Sequence, residues 1–195
     1  DWDPNVFYNS MQGLGLSTGV GNRVLFVLDT QLQRLPPQLL LVADEPIGRN
    51  AHVAVVPSLT WLNAAINALR KTYGPATAWI STTADNVSNA TLATVADRVG
   101  EDLEHHGVSL STAAQVPEAL RNASLAIVAA HGSLADENRF FQRVSDEAKF
   151  RVSGLALATA LQGAGVVVLF ICSGGRQDEH PVASTTVGLP KLLLQ

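Results

Sequence analysis

A single cysteine among 195 residues leaves no internal disulfide framework and no Cys-rich zinc site. Charge is scarce as well. Asp, Glu, Lys and Arg make up 15% of the chain, against about 25% in an average soluble domain, while 47% is hydrophobic. Disordered chains show the opposite balance, so a folded core is expected, and the length suits one domain or slightly more. Basic residues are outnumbered, 13 Lys+Arg against 17 Asp+Glu, for a net charge of −4. They form no stripe, which argues against nucleic acid as a direct partner. No apolar run reaches the roughly 20 residues of a membrane-spanning helix. The first residues, Asp1-Trp2-Asp3-Pro4, are acidic where a signal peptide is basic and then apolar. The chain begins without Met, as a processed or excised piece would. With no targeting segment, a free thiol fits the reducing cytosol, so a cytoplasmic location is expected.

Residues 1–22 are rich in Gly and Pro and read as an irregular N-terminal segment. The stretch Gly13 to Gly19 lacks the Lys of a phosphate-binding loop and follows no strand, so it reads as a flexible loop. From Arg23 onward, regular elements alternate. Val24–Leu28, Leu39–Val42 and His52–Val56 have strand length, with a hairpin connection expected at Asp44–Gly48. Ser58 caps an expected helix whose apolar face is Leu59, Leu62, Ile66 and Leu69, stopped by Gly74-Pro75. Thr77–Ile80 reads as a strand, Asn89–His106 as a helix ended by Gly107, and Val108–Leu110 as a short strand. Thr112 and Gln115 resemble a capping box before a helix at Val116–Arg121. Leu125–Ala130 and Val166–Ile171 are strands flanking a helix at Leu155–Leu161, and Thr185–Leu194 reads as a last helix. Continuous apolar strands alternating with helices indicate an α/β fold with a mainly parallel sheet buried on both faces.

In such sheets ligands bind at the carboxyl ends of the strands. His131-Gly132 follows one apolar strand, and Cys172-Ser173-Gly174-Gly175-Arg176 follows another. Neighbouring strands would bring the imidazole and the only thiol to one crevice. A thiolate is a nucleophile, and an imidazole beside it can take its proton and later protonate a leaving amine. The backbone N–H groups of Gly132 and Cys172 suit an oxyanion hole. Either residue alone would also fit a bland role, the Cys in the core and the His in a turn. Their joint placement at two strand ends carries the catalytic reading. Asp29, Asp178 and Arg176 are candidate substrate-binding residues, since an acid would select a basic side chain and an arginine a carboxylate or a backbone carbonyl. The same acids also suit ordinary solvated loops. His105-His106 close a helix, where the dipole favours cations and no metal is needed.

These motifs resemble a known family. Ala126-Ile127-Val128-Ala129-Ala130-His131-Gly132 is similar to the His strand of CHAT domains, and Val167-Val168-Leu169-Phe170-Ile171-Cys172-Ser173-Gly174-Gly175 resembles their Cys strand. Leu35-Pro36, Leu39-Leu40 and Val56-Pro57-Ser58-Leu59 resemble the family's strand, hairpin and helix entry, so the likeness runs from about Arg23 to Gln195. CHAT domains are caspase-like cysteine peptidases of clan CD, related to separase and often joined to TPR repeats in bacteria. The resemblance implies a caspase-like sheet with helices on both faces. It implies endopeptidase activity on a protein substrate, with Cys172 as nucleophile, His131 as acid/base and Gly132 as an oxyanion donor. No cofactor or metal is implied. Control by a sensor or TPR partner and a role in bacterial immunity are also implied.

The sequence departs from the pattern in two places. The family often reads Leu-Ser-Ala-Cys where this chain reads Leu169-Phe170-Ile171-Cys172, which implies a reshaped pocket. The family also continues into at least one further strand past the last helix, so a C-terminal segment or another chain is expected to complete the sheet. The competing expectations are a catalytically inactive scaffold or interaction domain of the same fold, and a flavodoxin-like or receiver-like binding domain. The second lacks a convincing acidic cluster or phosphate loop, and no Gly-x-Ser-x-Gly elbow supports an α/β-hydrolase.

Overall fold

The computed structural model describes residues 20–28, 32, 36–68, 73–82, 87–135, 138–144, 152–171, 178–179 and 186–194. The chain divides into two compact units, Asp1–Leu69 and Arg70–Gln195.

In the first unit, β1 (Arg23–Val27) is followed by a two-residue strand β2 (Leu41–Val42) that pairs antiparallel with β3 (Glu45–Pro46). Ala43 and Asp44 take φ of 50° and 65° in the turn, the left-handed pair that a tight two-residue hairpin requires. The short helix α1 (Ile47–Asn50) follows, with Ile47 buried, and leads into β4 (His52–Val56). The hairpin expected to connect the second and third apolar runs therefore closes within Leu41–Pro46. β4 pairs instead with β1, parallel, from Arg23–His52 to Val27–Val56. The immediate turn at Ala43-Asp44 leaves room for α1, which redirects the chain. Helix α2 (Leu59–Asn67) starts as expected, with Ser58 Oγ accepting the Trp61 N–H at 3.0 Å. Its expected apolar face is not buried. Leu59 is 67% and Ile66 72% exposed, Leu62 is half-buried, and Leu69 lies outside the described residues. Helical periodicity says which side chains share a side, not what covers them.

The second unit holds the main sheet. It is built from β5 (Ala76–Ile80), β6 (Val108–Ser111), β7 (Leu125–Ala130) and, beyond a hairpin, β11 (Val166–Ile171). All are parallel, in the order β11-β7-β5-β6. Helix α3 (Val87–His105) makes the crossover from β5 to β6, and Gly107, at φ 72°, turns the chain into β6. The crossover from β6 to β7 contains a single 3-10 turn, Glu118–Leu120, where a longer helix was expected. Pro117, extended at φ −72° and ψ 140°, delays the helical start, and Arg121 leaves it in extended geometry. After β7 come the antiparallel strands β8 (Gly132–Ala135), β9 (Asn138–Val144) and β10 (Val152–Ser153), then α4 (Gly154–Ala160), capped by Ser153 Oγ at 3.1 Å from the Ala156 N. Past β11 lie β12 (Asp178–Glu179), β13 (Thr186–Val187) and α5 (Leu189–Leu193). The last is shorter than the helix expected over Thr185–Leu194, because Thr186 and Val187 pair with β12 instead.

The chain moves one way from β5 to β6 and the other way from β7 to β11. Parallel crossovers are right-handed, so the two helices must lie on opposite faces, and they do. On one face Trp79, Ala126, Val128, Ala130 and Ile171 pack with Leu120, Leu157, Leu161 and Leu189. On the other, Ile80 and Ala129 meet Leu92, Ala96 and Val99 of α3. Trp79 is fully buried and its Nε1–H donates to the Ala113 carbonyl at 2.9 Å, so the one polar atom of the indole is satisfied in the core.

Gly165 sets how closely β11 enters beside β7. Its N–H donates to the Ala123 carbonyl at 2.9 Å, and a Cβ there would stand 2.8 Å from the Ser124 oxygen and 3.2 Å from the Tyr73 ring. Two outcomes are expected from urea unfolding followed by circular dichroism. Trp79→Ala should lower stability by about 3–5 kcal/mol, the range for emptying a buried aromatic site. Gly165→Val should cost about 1–3 kcal/mol through overpacking against backbone that cannot retreat.

Candidate functional site

The site is the carboxyl edge of the second unit's sheet. β7 and β11 pair along their full length, from Leu125–Val166 to Ala130–Ile171. They therefore end flush. His131 follows the last pair on one strand, and Cys172 follows it in the sequence of the other. Cys172 itself lies outside the described residues. His131 is half-buried, and Gly132 opens β8, with Val144 of β9 as its partner. The turn from a buried parallel strand directly into a hairpin places His131 between two ladders, which limits the travel of its backbone.

Two residues that the sequence reading did not single out stand beside it. The order β6-β5-β7 reverses direction at β5, so the crossovers diverge between the ends of β5 and β7, which is where crevices form. Ser81 and Thr82 follow β5 there. Ser81 is 3% exposed and its N–H donates to the Ala129 carbonyl at 2.9 Å. Thr82 Oγ1 donates to the Thr112 carbonyl at 3.3 Å, tying the ends of β5 and β6 together. The strand-end rule that picked out His131 and Cys172 would have found both, had it been applied to β5.

Asp29, Cys172 and Arg176 fall outside the described residues. Asp178 lies in β12, opposite Val187 of β13. Asp44, an exposed acid, belongs to the tight turn of the first unit. His105 and His106 contact each other edge to face at 5.5 Å, and His106 Nδ1 lies 2.7 Å from the Asp102 carbonyl. Among the described residues no cluster of His, Cys, Asp and Glu could hold a metal ion.

No protein-family model matches the chain, and no curated protein matches it either. The geometry must therefore carry the functional argument. Among the described residues no helix is long and apolar enough to cross a membrane.

The flush ends of β7 and β11 are directly testable. Adjacent strands lie about 4.8 Å apart, inside the Cα separation of roughly 4.4–6.8 Å that a disulfide spans. A His131→Cys variant should form an internal disulfide with Cys172 under mild oxidation, read as the loss of both free thiols in the monomer by mass spectrometry. Two persistently alkylatable thiols would show that the strand ends do not meet.

Proposed function

We propose that the chain is a caspase-like cysteine endopeptidase of the CHAT type, working through a Cys172–His131 dyad. One observation carries the reading. The strands that lead into His131 and Cys172 are parallel neighbours whose last residues, Ala130 and Ile171, are register partners. The only thiol of the chain is covalently next to one partner, and the imidazole next to the other.

The chemistry follows from those positions. The imidazole of His131 takes the thiol proton, and the thiolate attacks the carbonyl carbon of the scissile peptide. The oxygen of the tetrahedral intermediate takes up negative charge, which the N–H groups of Gly132 and Cys172 are suited to hold. His131 then gives its proton to the departing amine, leaving a thioester on Cys172. Water, deprotonated by the same imidazole, hydrolyses the thioester and restores the thiol. None of these steps calls for a metal or an organic cofactor. The substrate is a protein chain, and the family likeness extends the reading to a cytoplasmic enzyme of bacterial defence. A sensor or TPR partner would govern its activity, and a C-terminal segment or partner chain would complete the sheet.

The test is cleavage of a diverse peptide library. Cys172→Ala and His131→Ala should each lower cleavage by about a thousandfold or more, and the double variant should be no worse than the weaker single one, because the two residues act as a unit. Cleavage that survives both changes would sink the mechanism. A wild-type protein that binds peptide without cutting would instead mark a non-catalytic domain of the same fold.

A further inference from the structure

The main sheet has a free edge on the side away from the strands that lead into His131 and Cys172. β6 ends the order β11-β7-β5-β6, so it is paired on its inner side, with β5, from Ala76–Val108 to Trp79–Ser111. Among the described residues no strand lies on its outer side. An edge strand turns part of its backbone N–H and C=O groups outward, where they can pair with another chain. The four residues Val108-Ser109-Leu110-Ser111 include no Lys and no Pro, two devices that commonly blunt such an edge. Ser109 is exposed.

A groove runs beside this edge. Gly107, at φ 72°, turns the chain from the end of α3 directly into β6. The turn leaves a cavity of about 380 Å³ lined by Glu104, Gly107, Val108, Ser109 and Leu110. Its walls differ in character. Val108 and Leu110, two residues apart, share one face of β6, and Leu110 packs on the apolar cluster under α3. Glu104 is exposed and has no cation beside it among the described residues. The local sequence is of one sign. From Val99 to Leu120 it carries Glu101, Asp102, Glu104 and Glu118 and neither Lys nor Arg. The negative end of the α3 dipole adds to the same field.

We infer that the outer edge of β6 is a docking site for an extended, basic segment of a partner protein, which joins the four-stranded sheet as a further strand. Backbone hydrogen bonds hold the segment, and the groove selects its side chain. A Lys or Arg fits both walls: the stem lies along Val108 and Leu110, and the charged head meets Glu104. A second copy of this chain is a poorer occupant, because its own β6 offers Glu104 no cation. The inference stands apart from the dyad reading, since β5 separates β6 from β7.

The experiment titrates the full chain, by calorimetry, with the acetylated and amidated peptide Ser-Lys-Val-Lys-Val-Lys-Ser and with its Glu-for-Lys counterpart. Two analogues of the basic peptide carry N-methyl groups on one or the other set of alternate amides. The basic peptide should bind and protect the β6 amides from hydrogen exchange, and the acidic one should not. One methylated analogue should lose binding and the other keep it, because only one set of amides faces β6. Glu104→Gln and Glu104→Lys should weaken the basic peptide by about 2-fold and 5-fold, the range of an exposed ion pair. Both changes are at an exposed position, and melting temperatures near that of wild type will show that the variants fold. No binding of the basic peptide up to about 1 mM, equal binding of the two charge types, or indifference to both methylated sets would overturn the inference. So would protection that falls elsewhere than β6. A dimer that protects β6 without any peptide would give the edge to a second copy of the chain, against the inference.

Discussion

The parallel pairing of β7 with β11 is the constraint on which the rest of the second unit depends. Six register pairs run from Leu125–Val166 to Ala130–Ile171 without a bulge. Parallel strands cannot be joined by a tight turn, so the chain must leave the sheet after β7, build α4 and return. The return is narrow. Gly165 enters beside the Ala123 and Ser124 carbonyls with no space for a side chain. Once β11 is seated, the handedness of the crossover puts α4 on the face opposite α3. Leu157 and Leu161 then close the core over Trp79 and Val128.

The two faces of this sheet are finished differently. The α4 face is sealed: Leu157, Leu120 and Val128 show no exposed surface, and the indole N–H of Trp79 is matched. The α3 face is closed at Ile80 and Ala129 and left apolar and open over β11, at Val166 and Phe170. A helix of fixed diameter, about 10 Å, covers about two strands at this spacing, so one crossover helix cannot cover four. The uncovered strand is the one whose sequence continues into Cys172.

The sequence made the central strands legible because burial on both faces demands unbroken apolar runs, and Ala126–Ala130 and Val166–Ile171 are such runs. Local chemistry was legible too, as with Ser58 accepting from Trp61 and Gly107 in left-handed geometry. Pairing was not. The partner of His52–Val56 is β1, and nothing in five apolar residues specifies whether the neighbour runs parallel or antiparallel. Coverage was not legible either, since the spacing of Leu59, Leu62 and Ile66 is the same whether or not another element packs on it. The hairpin over Gly132–Val144 was not legible because its strands mix polar and apolar residues without the two-residue alternation that marks a half-buried strand.

The proposed site drew on both kinds of information. Residue type nominated Cys172 and His131, because few other pairs of side chains perform acyl transfer without a metal. Topology then decides whether nomination means anything, since two strands of one sheet need not be neighbours. With β7 and β11 adjacent and flush, Ala130 and Ile171 are register partners at the carboxyl edge of the sheet. On the proposed reading, reactivity would depend on the pairing of β7 with β11, and selectivity on the residues at the sheet edge. His131 and Cys172 are the positions at which the chain resembles CHAT domains, and Phe170 and Ile171 those at which it departs from them, so the likeness lies in the strand ends and the difference in the strand that leads to the thiol.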